Sequence, residues 1–234
     1  MQTYLVNPLA LKALSYLSAG PDRWIISGVL CEFFPNGVRY VATDGRTLAV
    51  VTDATSPIPA DDKPEYALTL DGNAVAQIVK QWRASKHTPF GVTIGEETGP
   101  DEARMLPLWF DGADTSALPS YVQPVYRYPN WRQVVPRRSW VSCVSSRCSI
   151  DSAYAAQVDA FFRTITDAKD KRLLADCTFH GVSSTAGSGR PTWLATTAKR
   201  LAGRLTAYAI VMGVAVAEDA AASILSDPSL PFPA

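Results

Sequence analysis

A short strand, a polar cap and an amphipathic helix recur three times along this chain, and that recurrence restricts the fold more than any other feature. Tyr4-Leu5-Val6 precedes Asn7-Pro8, an N-cap residue followed by proline at the first helical position. Ala10, Ala13, Leu14 and Leu17 then follow at i, i+3, i+4 and i+7, one apolar helical face, and Gly20-Pro21 stops it. The pattern restarts with Tyr66–Leu70, the cap Asp71 and the face Val75, Ile78, Val79 and Trp82. It restarts again at Cys148-Ser149-Ile150, with Asp151 as cap and Val158, Phe161, Phe162 and Ile165 as the buried stripe. The caps Asn7, Asp71 and Asp151 lie 64 and 80 residues apart. Each helix is followed by a meander of strands. Units of this kind pack their sheets side by side and gather the helices on one face, which predicts an α+β fold with antiparallel sheets.

The first meander is predicted over Trp24–Phe34 and Val38–Val51, joined by Pro35-Asn36-Gly37. The second comprises Phe90–Ile94 and Met105–Phe110; the third, Leu173–Phe179, Thr192–Ala195 and Thr206–Val216. Within 38–51, Thr43-Asp44-Gly45 interrupts a β-branched, apolar run. Aspartate can hydrogen-bond its own backbone and glycine accepts positive φ, so a bend is expected there. It exposes polar groups of Thr43, Arg46 and Thr47 beside Leu48. On spacing alone this reads first as an ordinary surface hairpin.

Charge excludes little, since 22 basic residues balance 22 acidic ones. A nucleic-acid contact would therefore depend on local clustering. Lys80, Arg83 and Lys86 share roughly one face of the second helix, with Lys12 on the first and Arg163 on the third. Lys169, Lys171 and Arg172, and then Lys199, Arg200 and Arg204, form further basic groups, without the interleaved aromatic residues of single-strand binders. The alternative reading of these groups is the solvated face of surface helices.

Catalytic signatures are missing from the pattern. Cys143, Cys148, Cys177 and His180 can be written as a zinc spacing, but Cys143 and Cys148 have opposite strand parity and would point to opposite faces. Residues 186–191 lack the lysine and glycine spacing of a phosphate loop, and no nucleophile elbow occurs. Asp44 and Asp71 are explained by turn and cap. We therefore expect no enzymatic activity, no catalytic residue, no metal and no cofactor. Four scattered cysteines, no membrane-length apolar run and no signal-like N-terminus predict a cytoplasmic protein without a membrane partner.

The stretch Val41-Ala42-Thr43-Asp44-Gly45-Arg46-Thr47-Leu48-Ala49 resembles the Ala-Thr-Asp-Gly-His-Arg-Leu-Ala signature in the middle domain of bacterial sliding clamps, the β subunit of the replicative DNA polymerase. Tyr128-Pro129-Asn130-Trp131-Arg132-Gln133-Val134-Val135-Pro136 resembles the segment joining that family's middle and last domains. The resemblance covers roughly residues 1 to 136. It implies a ring of clamp-like domains whose helices surround duplex DNA, and hence a homo-oligomer, a trimer where each subunit brings two domains. It also implies a shallow apolar cleft for the peptide tails of a DNA polymerase or other clients. Carried across by motif, the cleft comprises Thr43, Gly45, Arg46, Thr47, Leu48, Pro129, Gln133 and Val134, and an aspartate at Leu48 or Val134 is expected to abolish peptide binding with the fold intact. The DNA-facing set is Lys12, Lys80, Arg83, Lys86 and Arg163.

Departures from the family are specific. Arg46-Thr47 stands where the signature has His-Arg, and Gln133 replaces the second arginine of the joining segment. After Pro136 one further unit follows where a full clamp domain has two, and the family's first domain has no counterpart. The sequence thus predicts a complete clamp-like domain over 1–127 and a shortened one over 128–234. A module of the same descent that binds proteins without encircling DNA is the alternative.

Overall fold

The computed structural model describes residues 2–20, 23, 26–59, 62–85, 90–94, 104–110, 118–123, 128–135, 150–166, 177–182, 192–197 and 199–212. The first unit runs β1 (Gln2–Val6), α1 (Pro8–Leu14), β2 (Val29–Phe34), β3 (Gly37–Thr43) and β4 (Thr47–Ala54). The second runs β5 (Tyr66–Leu70), α2 (Gly72–Ser85), β6 (Phe90–Ile94), β7 (Arg104–Phe110) and β8 (Leu118–Gln123). The third contributes α3 (Ser152–Ile165), β9 (Cys177–Val182), β10 (Thr192–Thr197) and β11 (Leu205–Met212).

Each helix begins where a side chain satisfies its first free amides. Asn7 Oδ1 accepts from the amides of Leu9 and Ala10, Asp71 Oδ1 from Ala74, and Asp151 Oδ1 from Ala153. The expected apolar stripes face inward: Ala10, Ala13, Leu14 and Leu17, then Val75 and Ile78, then Val158, Phe161, Phe162 and Ile165 are all buried. Helix α1 ends sooner than its apolar period suggests, at Leu14, and Leu17 reaches the core from the turn that follows.

All eleven strands among the described residues form one antiparallel sheet, ordered β1-β6-β7-β8-β5-β2-β3-β4-β11-β10-β9. The leading strands are exchanged between the first two units. β1 pairs with β6 of the second unit, Tyr4 opposite Val92, while β5 pairs with β2 of the first, Leu68 opposite Cys31. This exchange ties the two units into one body. The third unit joins through β11 and β4, Ala209 opposite Ala49, so the sheet runs unbroken across the expected boundary at 127/128. Strand β8, Leu118–Gln123, is absent from the sequence-level reading; Pro119 and a polar end obscure its alternation. Of the strand expected at Cys148–Ile150, Cys148 and Ser149 lie outside the described residues, as does the tail after Met212, while Ile150 belongs to no strand and packs against the main core.

Strand parity divides the core in two. Val29, Cys31 and Phe33 of β2, Tyr40 and Ala42 of β3, Ala49 and Val51 of β4, and Ala209 and Val211 of β11 pack with all three helices. Helix α1 lies between α2 and α3 on that face. Burying each large side chain there stabilises the fold by about 1.5–3 kcal/mol. The opposite parity, Leu30, Val41, Leu48, Val50 and Ile210, packs with Tyr128 and Trp131. The sheet is therefore helix-backed on one side and covered by the 128–135 segment on the other. Gly28 marks the close approach of β2 to β5: its φ is +101°, and a Cβ there would run into the carbonyl oxygen of Leu70.

Candidate functional site

The bend between β3 and β4 is held almost wholly by its own polar groups. Thr43 pairs with Leu48, which leaves a four-residue loop, Asp44 to Thr47. Asp44 Oδ1 accepts from the amides of Arg46 (2.8 Å) and Thr47 (2.6 Å) and from the Thr47 hydroxyl (2.8 Å). Thr43 Oγ1 donates to the carbonyl of Thr47 (2.6 Å) and accepts from the amide of Gly45 (3.0 Å). Gly45 adopts φ +87°, the conformation an Asp-Gly bend requires. The hydroxyls of Thr43 and Thr47 are thus committed to shaping the loop, and both side chains are buried. Gly45 and Arg46 are its exposed residues.

Across the sheet face lies the 128–135 segment, which turns through a short 3-10 helix at Trp131–Val134. Tyr128 and Trp131 are buried, and the Tyr128 hydroxyl donates to the carbonyl of Val41 (3.3 Å). Pro129, Asn130 and Gln133 face solvent, and Val134 is 57% exposed. Leu48, in contrast, is only 4% exposed, inside the cluster that holds Tyr128, Trp131 and Ile210. An aspartate at Leu48 would bury a charge in that cluster, so the expectation that it spares the fold is corrected; at exposed Val134 the same substitution buries no charge.

What fastens the segment is ionic. Glu32 projects from β2 onto this face and meets two arginines. Arg132 reaches both of its oxygens at 2.9 Å, and Arg39 of β3 lies 3.3 Å away. Arg39 stacks over Phe34 and Trp131 and donates to the carbonyls of Ile58 and Pro59. Burial pulls the Arg39 guanidinium below its ordinary value, opposed by Glu32. Arg132 in turn covers the Trp131 ring at 4.5 Å. Neither Glu32 nor Arg39 is suggested by the sequence pattern, where both occupy apolar strands.

Beyond the bend, the backbone amide of Met212 donates to the carbonyl of Arg46 (2.9 Å), placing the end of β11 beside it. Met212 and Val134 are exposed apolar side chains flanking the cluster. On the other side of Arg46 opens a cavity of about 400 Å³, lined by Ser18, Gly20, Arg23, Asp44, Arg46 and Tyr154. Arg46 donates to the Tyr154 hydroxyl (3.1 Å), and Arg23 to the carbonyl of Asp44 (2.8 Å). The Tyr154 contact raises the Arg46 guanidinium further above its ordinary value. Tyr154 lies 108 residues from Arg46 in the chain, and no spacing in the sequence links them.

On the helix face, Lys80 and Arg83 are exposed on one side of α2, Lys12 is half-buried on α1, and Arg163 is exposed on α3 beside Asp159 (2.6 Å). Lys86 falls outside the described residues, as do Cys143 and Cys148; Cys177 packs against the main core. Asp159 is the sole acidic residue within α1, α2 and α3, against four basic ones. Among the described residues no helix is long and apolar enough to cross a membrane.

No protein-family sequence model matches the chain, and no curated protein matches it in sequence. Its fold, however, is that of bacterial sliding clamps. The Helicobacter pylori β clamp, solved in complex with diflunisal, superposes over 92% of this chain and 66% of its own, with a TM-score of 0.54 and 10% identity. The DNA polymerase III β subunit of Pseudomonas aeruginosa aligns over 92% and 67% at a TM-score of 0.49 and 13% identity. The Caulobacter crescentus clamp aligns over 98% and 70% at a TM-score of 0.46 and 13% identity. The chain spans about two thirds of the length of these clamps.

Proposed function

We propose, from a sliding-clamp fold with a basic helix layer, that this protein is a clamp-like processivity factor that surrounds duplex DNA and holds client peptides on its opposite face. The observation that carries the reading is the division of labour between the two sides of the sheet. One side presents Lys12, Lys80, Arg83 and Arg163 on three adjacent helices that contain a single acidic residue. Lysine and arginine so arranged contact phosphates without reading bases, which suits a protein that slides.

The other side carries the bend and the 128–135 segment, with apolar Val134 and Met212 exposed beside a rigid scaffold. Short peptides dock on such surfaces by sinking apolar anchors next to fixed backbone groups. Pro129, Gln133 and Val134 border the cleft from one segment, and Gly45 and Arg46 from the other; Thr43, Thr47 and Leu48 support it from beneath. A tether that encircles its template raises the local concentration of the enzyme it holds, so processivity needs no chemistry at this protein.

A ring requires several copies, with the units 1–127 and 128–234 alternating around it. Light scattering tests this: a trimer or other closed oligomer is expected. A second reading is a protein-binding module that does not encircle DNA; among the described residues the third unit holds one helix and three strands where the first two hold one helix and four strands each. A monomer that still binds peptides would decide for it.

A further inference from the structure

We propose that Asn36 is a self-modifying site: its side chain closes onto the Gly37 backbone nitrogen and loses ammonia, leaving aspartate or isoaspartate, at a rate that Thr55 and Ser56 control. This chemistry is independent of whether the protein binds DNA or peptides.

Four asparagines occur in the chain, and Asn36 alone precedes a glycine. Asn7 precedes Pro8, which has no amide proton, while Asn73 and Asn130 precede Ala74 and Trp131. Pro35-Asn36 is the two-residue turn between β2 and β3, with Phe34 opposite Gly37. The fold demands that glycine. A Cβ at position 37 would run into the carbonyl oxygen of Asp53 and the Cα of Ala54, so no side chain can stand there to shield the amide.

The step balances with water as its one co-reactant. Hydroxide takes the Gly37 N–H proton, and the nitrogen attacks Asn36 Cγ. As the new N–Cγ bond forms, the Cγ–Nδ2 bond breaks, and the departing nitrogen takes a proton from solvent and leaves as ammonia. Water then opens the cyclic imide at either carbonyl, and nothing is oxidised or reduced.

Both halves of the reaction are held from the chain just past β4. The amide and hydroxyl of Thr55 donate to the Asn36 carbonyl oxygen at 2.9 and 3.2 Å. That carbonyl shares a peptide unit with the Gly37 nitrogen, so it takes up part of the charge formed when the proton leaves. Donors aimed at it favour the ionised nucleophile. Ser56 acts in the opposite sense. Asn36 Nδ2 donates to the Ser56 hydroxyl (2.8 Å) and carbonyl (3.2 Å), and these bonds must break before Cγ turns to the nitrogen. Thr55 activates and Ser56 restrains.

Conversion removes the Nδ2 donor and sets an acceptor-only carboxylate against the Ser56 carbonyl. Arg39 grips the same strand exit a few residues on, through the carbonyls of Ile58 and Pro59. The modification therefore falls beside the ion-pair cluster under the 128–135 segment.

Site-resolved mass spectrometry of the folded full chain, incubated at neutral pH, tests the proposal. Conversion at Asn36 should build up steadily and exceed that at Asn73 and Asn130. Ser56→Ala should speed it about fivefold, the factor that one hydrogen bond carries, and Ser56→Thr should return it toward the original rate. Thr55→Val, which keeps the shape without the hydroxyl, should slow it about fivefold. Both residues are exposed, so these variants should fold. In urea every variant should convert at the same rate. An Asn36 that stays intact in the folded chain while it converts in urea, or a Ser56→Ala rate equal to the original, would overturn the proposal. So would acceleration by Thr55→Val, which would mean that both residues merely stiffen the turn.

Discussion

Arg132 closes on Glu32 through both carboxylate oxygens at 2.9 Å, joining two residues 100 positions apart. Glu32 is 3% exposed and is shared with the equally buried Arg39, so one carboxylate balances two cations between the sheet and the segment laid over it. Such a group is costly to bury and costlier to disrupt. Removing one partner strands the others without compensation.

Glu32→Gln is therefore expected to destabilise the protein by about 3 kcal/mol, read as a lower urea midpoint. Arg132→Ala removes the more exposed partner and should cost about 1–2 kcal/mol. Its distinguishing effect is on Trp131, whose fluorescence should move toward that of a solvated indole in the folded state. Unchanged Trp131 emission in Arg132→Ala would show that apolar packing alone holds the segment.

Val134 and Leu48 separate binding from folding. With Val134 at 57% exposure, Val134→Asp should leave the melting temperature within a few degrees and remove affinity for apolar peptide tails. Leu48→Ala opens a cavity under the bend and should cost about 2–4 kcal/mol. Calorimetry of both variants checks this pair; a strongly destabilised Val134→Asp would mean that Val134 is structural.

Much of this arrangement is legible in the sequence because local chemistry fixes it. The caps Asn7, Asp71 and Asp151 each make the bonds their identity predicts, and the apolar stripes behind them are buried. Gly45 takes its positive φ for the reason an Asp-Gly pair suggests. The exchange of β1 and β5 between units is invisible to periodicity, since pairing partners 84 to 92 residues apart for β1 and 33 to 41 apart for β5 leave no local mark. Glu32 and Arg39 escape notice because alternation marks them as strand positions without saying which face will be covered. Tyr154 and Arg23 join the site only through tertiary contact with the bend. Leu48 shows the converse: the motif identifies the right neighbourhood, but it cannot tell a floor residue from a wall residue.

The helix layer predicts a defined response to charge. Lys80→Glu with Arg83→Glu places two negative charges on the exposed side of α2. Affinity for duplex DNA should fall uniformly across sequences, and the slope of log affinity against log salt should become shallower by roughly two contacts. Fluorescence anisotropy over a salt series measures both. An unaltered slope would move DNA off this face.

Alkaline pH should unfold the protein early. Burial pushes the Cys31 thiol far above its ordinary 9.0, raises the Tyr40 and Tyr128 hydroxyls well above 10.0, and lifts Tyr208 to about 12. These groups hold their protons more tightly folded than unfolded. The stability they protect is thus complete below about pH 9 and falls as pH rises through the unfolded values toward the folded ones. Melting temperature against pH should begin to drop near pH 9, and Cys31→Ala should delay that onset toward pH 10. A flat profile to pH 11 would contradict the buried environment of these groups.

Retention on DNA of different topology tests the central claim most directly. The protein is incubated with nicked circular duplex under conditions that permit ring opening, washed at high salt, and the circle is then linearised with a restriction enzyme. An encircling clamp stays on the circle through the salt wash and is released on linearisation, because a ring slides off free ends. Loss in the salt wash itself, or equal retention on circle and line, would contradict encirclement and leave a clamp-fold module that binds its partners without enclosing DNA.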